Sequence, residues 1–242
     1  MPLKLIKMED LDMKKVILAM LIFSIILFPG CSKSNDGKVI ESNEETKLDS
    51  VESNNVDGEK SEKELLIRLS NQEFNIQQEK LTNEDEDTII NFGKSFVNLY
   101  NGAIAEQEKV SFEKYIGNKN LLEFTDKILE LSKKQYSKGG IGIHYGLENE
   151  FKEANLKRIE DNIYYLELPF EFEGSGMNSK MLITSKNKSL KLVDFYFGNK
   201  DGVDTFATGH PSERRVNDPD LWENEEWVKD VSNKLKEFEE KL

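Results

Sequence analysis

Between Ile163 and Glu173 the chain alternates without a break. Tyr164, Leu166, Leu168, Phe170 and Phe172 fall on one side of an extended backbone, with Tyr165, Glu167, Pro169, Glu171 and Glu173 on the other. One face is core and the other wet, the pattern of an antiparallel sheet covered on one side. Pro169 has no amide hydrogen to donate, so this strand cannot be fully paired on both sides at that point. Its neighbours extend the sheet. Phe151–Ile159 predicts a strand before it, and Gly174-Ser175-Gly176 predicts a turn after it. Met177–Ser185 and Ser189–Phe197 then predict a hairpin around Lys186-Asn187-Lys188. Val203–Ala207 reads as a further short strand or extended piece, followed by an irregular loop over Gly209–Leu221.

Upstream of the strands the period changes to that of a helix. Leu65, Leu66 and Leu69 share a face in a short helix over Glu62–Leu69. Thr82 followed by Asp85 predicts a helix start, with acidic side chains over the positive end of the helix dipole. From there Ile89, Gly93, Phe96, Val97, Tyr100 and Ile104 recur at steps of three and four to about Ala105. Gly93 inside that helix costs about 1 kcal/mol against alanine, tolerable where another backbone packs close. A third helix is expected over Asn118–Lys134 with Leu121, Thr125, Ile128 and Leu129 inward. Gly139-Gly140-Ile141-Gly142 ends the helical half. At the far end Trp227, Val231, Leu235, Phe238 and Leu242 make one stripe of a final amphipathic helix.

The N-terminal region has another logic. Val16–Phe28 is apolar apart from Ser24 and follows Lys14 and Lys15. It falls short of the ~20 residues a permanent membrane helix needs, and its length and basic flank fit a secretory signal. Met13-Lys14-Lys15 suits the start of such a signal better than residues 1–12, which carry Glu9, Asp10 and Asp12. The single cysteine of the chain, Cys31, comes directly after Pro29-Gly30. This arrangement resembles a bacterial lipoprotein signal, although Phe28 and Pro29 stand where the usual motif has Leu and a small residue. The resemblance implies cleavage before Cys31 and attachment of a diacylglycerol to its thiol. Two acyl chains hold a protein on a bilayer where one would release it, at about 0.8 kcal/mol per buried methylene.

The expected organisation is therefore a signal over 1–30, a lipidated Cys31 with a disordered tether over 31–60, and one globular domain over 61–242. The tether, rich in Ser, Asn, Asp, Glu and Lys, cannot bury enough apolar surface to offset its ordering entropy. Acidic residues number 46 against 33 basic ones, giving a formal net charge of −13; without residues 1–31 it is −14. Phosphate backbones repel such a chain, which excludes a general nucleic-acid binder. Anionic headgroups repel it too, so the body is expected to stand off the bilayer.

Helices first and antiparallel strands after predict an α+β fold, with the N-terminal helices packed on one face of a curved sheet and a C-terminal amphipathic helix added. The helix around Phe96-Val97-Asn98-Leu99-Tyr100, the Leu121–Leu131 helix and the aromatic strand Tyr164–Phe172 occur in an order that resembles the nuclear transport factor two-like (cystatin-like) superfamily. The resemblance covers about Leu81–Ala207 and implies a cone-shaped sheet wrapped on its first long helix. Some members are enzymes and others binding or assembly domains, so it leaves function open.

His144, after the glycine-rich turn, is the candidate acid–base group, with Glu148 or Glu150 as its carboxylate. In enzymes that share the resembled fold, a His and a carboxylate inside the cone can play these parts. A loop or surface role is the simpler account of it. Thr208–Arg215 gathers His210, Arg214 and Arg215 as candidate binding residues, since guanidinium groups suit bidentate carboxylate recognition. Ser212 with His210 lacks the glycine elbow and third member of a hydrolytic triad. Arg214 and Arg215 are expected to pair with Asp218, Asp220 or the acidic run Glu223, Glu225 and Glu226. The acidic cluster Glu84–Asp87 lacks the alternating frame of a calcium loop, and no metal or cofactor is predicted. Two histidines and one cysteine leave little for a metal cluster. The leading expectation is a non-catalytic binding or assembly module of the cell envelope, with an envelope protein as partner. A small acid–base enzyme and a small-molecule-binding lipoprotein are the alternatives.

Overall fold

A computed structural model describes residues 56–77, 81–139 and 145–242, with side chains from Ser61 onward. The predicted signal, Cys31, residues 32–55 of the expected tether and His144 lie outside the described residues, whereas residues 56–60, also expected in the tether, are helical. What is described is a mixed α+β unit with a five-stranded antiparallel sheet. Three helices lead: α1 Val56–Asn71, α2 Asn83–Ala105 and α3 Lys119–Ser137. The strands follow as β1 Glu150–Phe151, β2 Asn155–Glu160, β3 Ile163–Phe172, β4 Ser175–Thr184 and β5 Lys191–Tyr196. Two helices close the chain, α4 Val203–Thr208 and α5 Glu225–Lys241.

Helix starts are set locally. Thr82 accepts from the Asp85 amide while Asp85 accepts from the Thr82 amide, a reciprocal capping box. The Asp85 carboxylate also takes the Gln77 amide at 2.9 Å, and these backbone donors hold its carboxyl below the ordinary range. Asn118 caps α3 through the Leu121 amide, and Asn224 caps α5 through Trp227.

β3 has β4 on one side along its whole length. On its other side β2 and β1 stand end to end, β2 facing Ile163–Glu167 and β1 facing Phe170–Glu171. The single strand expected over Phe151–Ile159 is thus two. The break falls opposite Pro169, whose carbonyl accepts from the Lys152 amide at 2.9 Å but whose ring nitrogen has nothing to give. Across β4 lies β5, with a bulge between Leu182 and Ile183.

α2 is buried nearly all round: Ile89, Phe92, Phe96, Val97, Leu99, Tyr100, Ala103 and Ile104 are inaccessible to solvent or nearly so. The Phe96 ring meets Phe195, Phe112 and Phe197 at centroid distances of 5.0, 5.6 and 5.8 Å, and Tyr100 stacks on Phe197 at 4.3 Å. Such offset and edge contacts add to the area the rings bury. Gly93 is explained here, though not by a neighbouring backbone as expected. A methyl at that position would stand 2.4 Å from Leu166 Cδ2, so the sheet's own side chain occupies the space.

Two further expectations change. Val203–Thr208 is helix rather than strand. Asp204 accepts the Phe197 amide at 2.9 Å, Thr205 Oγ1 donates to the Asn199 carbonyl, and Thr208 Oγ1 returns to the Asp204 carbonyl at 2.8 Å. Side chains of α4 thus satisfy the loop before it, which a strand running away from β5 could not do. The outer face of the sheet is also not simply wet. Leu182, Tyr196 and Val216 form a second small core there, with Ile163, Tyr165 and Val193 beside it. The loop 209–217 supplies Val216 and covers that face.

In α5, Val231 and Leu235 are buried in the main core, and Trp227, Val228, Phe238 and Leu242 are half-buried against it. The Phe238 ring meets Phe206 of α4 at 5.2 Å.

Candidate functional site

Two buried polar constellations stand out, and sequence reasoning singled out neither as a whole. The first clamps the loop 209–217 to β5. Asp194, on the outer side of β5, is fully buried. Its carboxylate accepts from Arg214 Nη2 at 2.6 and 2.7 Å, from Trp222 Nε1 at 2.8 Å and from the Phe195 amide at 2.9 Å. Burial pushes the Asp194 carboxyl up from its ordinary value, against the pull of Arg214 and then of Trp222 and Phe195. Arg214 is only 5% exposed, gives its Nη1 to the Arg215 carbonyl and lies over the Trp227 ring at 5.4 Å. Tyr196 donates its hydroxyl to the Gly209 carbonyl at 3.1 Å and fixes the start of the same loop.

This corrects the expected partners of Arg214. Asp218 and Asp220 are solvated or nearly so, and an ion pair there gains under about 1 kcal/mol. Asp194 is desolvated and binds the nearest guanidinium far more tightly. Arg215 remains exposed, as does His210, whose Nδ1 sits 2.9 Å from Ser212 Oγ. The three candidates of the loop are therefore not brought together: Arg214 points into the protein, and His210 and Arg215 point out of it. A sequence signal for the clamp did exist. Asp194 interrupts the otherwise apolar run Leu192-Val193 and Phe195-Tyr196-Phe197.

The second constellation lies where the C-terminal ends of α2 and α3 meet the turn between β5 and α4. Tyr100 and Asn101 of α2, Ser132 of α3, Tyr145, Asn199 and Asp204 line a cavity of about 10 Å³ together with the apolar Met177, Phe197 and Val203. Tyr100 shares a hydrogen bond of 3.1 Å with Ser132. Burial raises the hydroxyls of Tyr100 and Tyr145 above their ordinary value, with the Asp204 charge as a further cause. Burial also raises Asp204, to about 6, against the backbone amides of Phe197, Thr205 and Gly198 that bind it.

The Asp204 shift has a measurable consequence. A carboxyl raised from 3.8 to about 6 binds its proton more tightly in the folded chain than in the unfolded one. It therefore costs stability above the folded pKa and returns it as pH falls toward 3.8, by about 3 kcal/mol at ~1.4 kcal/mol per pKa unit. Asp85 has the opposite sign and loses stability on acidification. The Asp204 part is isolated by urea unfolding of the full chain against Asp204→Asn. Between about pH 7.5 and pH 4 the wild type should gain on the variant by about that amount. A constant difference would show that Asp204 titrates normally.

Among the described residues no group of three or more His, Cys, Asp or Glu side chains is placed to hold a metal ion, and no helix is long and apolar enough to cross a membrane. No protein-family profile, curated protein or solved structure matches this chain.

Proposed function

We propose that the chain is a lipoprotein anchored through Cys31 on the extracytoplasmic side of a bacterial cell membrane, with its folded part acting as a non-catalytic binding or assembly module of the envelope. In this reading α1 to α3 pack on one face of a curved sheet, and α5 closes the same body at the C-terminal end. The observation that carries the anchor is the position of the single cysteine, after Lys14-Lys15 and the apolar run Val16–Phe28. What favours a module over an acid–base enzyme is the filled interior. Phe92, Phe96, Phe112, Tyr115 and Phe195 take up the space around α2 where a cone-shaped enzyme would hold its substrate. The polar cavity around Asp204, at about 10 Å³, admits nothing larger than a water-sized body.

Fatty-acid labelling tests the anchor. Bacteria expressing the wild type should incorporate labelled palmitate into the protein, and the Cys31→Ser chain should remain an unlabelled, uncleaved precursor. Equal labelling of the two would overturn the reading.

A further inference from the structure

Asn101, which lines the cavity together with Asp204, carries one acceptor that the fold leaves unused. Asn149 Nδ2 donates to Asn98 Oδ1 at 2.9 Å and to the Gly146 carbonyl at 3.0 Å, which fixes the orientation of that amide. Its oxygen then faces Asn101, so Asn101 presents its NH₂ there, at 3.1 Å. The Asn101 Oδ1 atom is thereby turned away from Asn149, buried and without a hydrogen-bond partner among the described residues. Asn101 is 1% exposed, and an orphaned buried acceptor of this kind is destabilising unless something fills its place.

The same cavity holds an uncompensated acid. Asp204 is 5% exposed, and among the described residues no lysine or arginine forms an ion pair with it. Among the described residues, the titratable side chains that face it are hydroxyls: Tyr100 of α2, Tyr145, and Tyr196 of β5. Its partners are backbone amides, which solvate the carboxylate without cancelling its charge.

We propose that this cavity binds one dehydrated monovalent cation of water's size, potassium or ammonium, between the Asp204 carboxylate and the Asn101 amide oxygen. The oxygens of Tyr100, Ser132 and Tyr145 complete a mostly neutral oxygen shell. A cavity of about 10 Å³ matches one body of water's radius. A water there would satisfy Asn101 but leave the buried charge in place. A divalent ion of the calcium kind takes six to eight oxygens, several of them carboxylates as a rule, and here there is one. The site goes beyond the anchoring and assembly reading and stands independently of it.

Unfolding of the full chain at constant pH and ionic strength tests the site, with the chloride salts of potassium, ammonium, lithium and choline as the four arms. The melting midpoint should rise saturably by several degrees in potassium or ammonium relative to choline, with little response to lithium. Asn101→Leu should remove that selective rise whatever its own midpoint. Identical midpoints in all four salts would overturn the proposal and leave the cavity to a water. So would a rise common to all the inorganic cations, which is screening. Rubidium, a heavier stand-in for potassium, gives a readout that needs no variant. Crystals soaked in it should show an anomalous peak between Asn101 and Asp204, and a featureless cavity would count against the site.

Discussion

Arg214→Met should destabilise the full chain by about 3–5 kcal/mol, the cost of leaving a buried charge without its partner. Among the described residues nothing else of opposite charge reaches Asp194; its remaining donors are the Trp222 indole and the Phe195 amide. Against a total stability of about 5–15 kcal/mol, that loss brings the variant close to unfolding. A companion variant keeps the prediction decisive. Asp194→Leu combined with Arg214→Met removes both charges, and packed apolar replacements for a buried pair are often neutral. The double variant should therefore recover most of the loss in a urea titration. Its failure to exceed Arg214→Met in stability would mean that the loop 209–217 is held by Val216 and Tyr196 rather than by charge. Limited proteolysis reads the same event, since a released loop should be cut within 209–217 before the sheet opens.

The second large effect belongs to α5. Leu235 is 5% exposed and, with Val231, Phe124 and Trp222, lines a groove of about 240 Å³ between α3 and α5. Leu235→Ala should cost about 2–5 kcal/mol, the transfer term plus a cavity term that the groove can partly relax. A helix that serves only to dock a partner would behave differently. Its truncation would leave the melting midpoint unchanged while abolishing the partner's binding. Thermal unfolding of the full-length variant separates these outcomes, and an unchanged midpoint would overturn the assignment of α5 to the core. Ion pairs do not substitute for the leucine. Glu239 bridges Lys127 and Lys134 of α3 at 2.7 Å, but these groups remain partly open to solvent and such contacts contribute little.

The parts of this protein that were legible in the sequence are those whose causes are local. Thr82, Asn118 and Asn224 cap helices through amides three residues away, so the starts of α2, α3 and α5 follow from nearest neighbours. The period-two run of β3 marked the strand and its inward face, and Pro169 marked the point where one side of the ladder had to fail. The proposed anchor at Cys31 rests on composition and adjacency alone. What only the tertiary structure decided depends on desolvation and on partners distant in the chain. Arg214 chose Asp194, twenty residues back, over acids a few residues away, because a carboxylate stripped of water gains far more from a guanidinium than a solvated one. Val203–Ala207 reads as a short strand or extended piece in isolation, and Val203–Thr208 is a helix because Asp204 and Thr205 satisfy the preceding turn. The cavity between Asn101 and Asp204 joins residues about a hundred positions apart, and its unpartnered oxygen exists only once Asn149 has fixed the amide of Asn101. No periodicity or motif encodes such a site, since burial removes the water that would otherwise have hidden it.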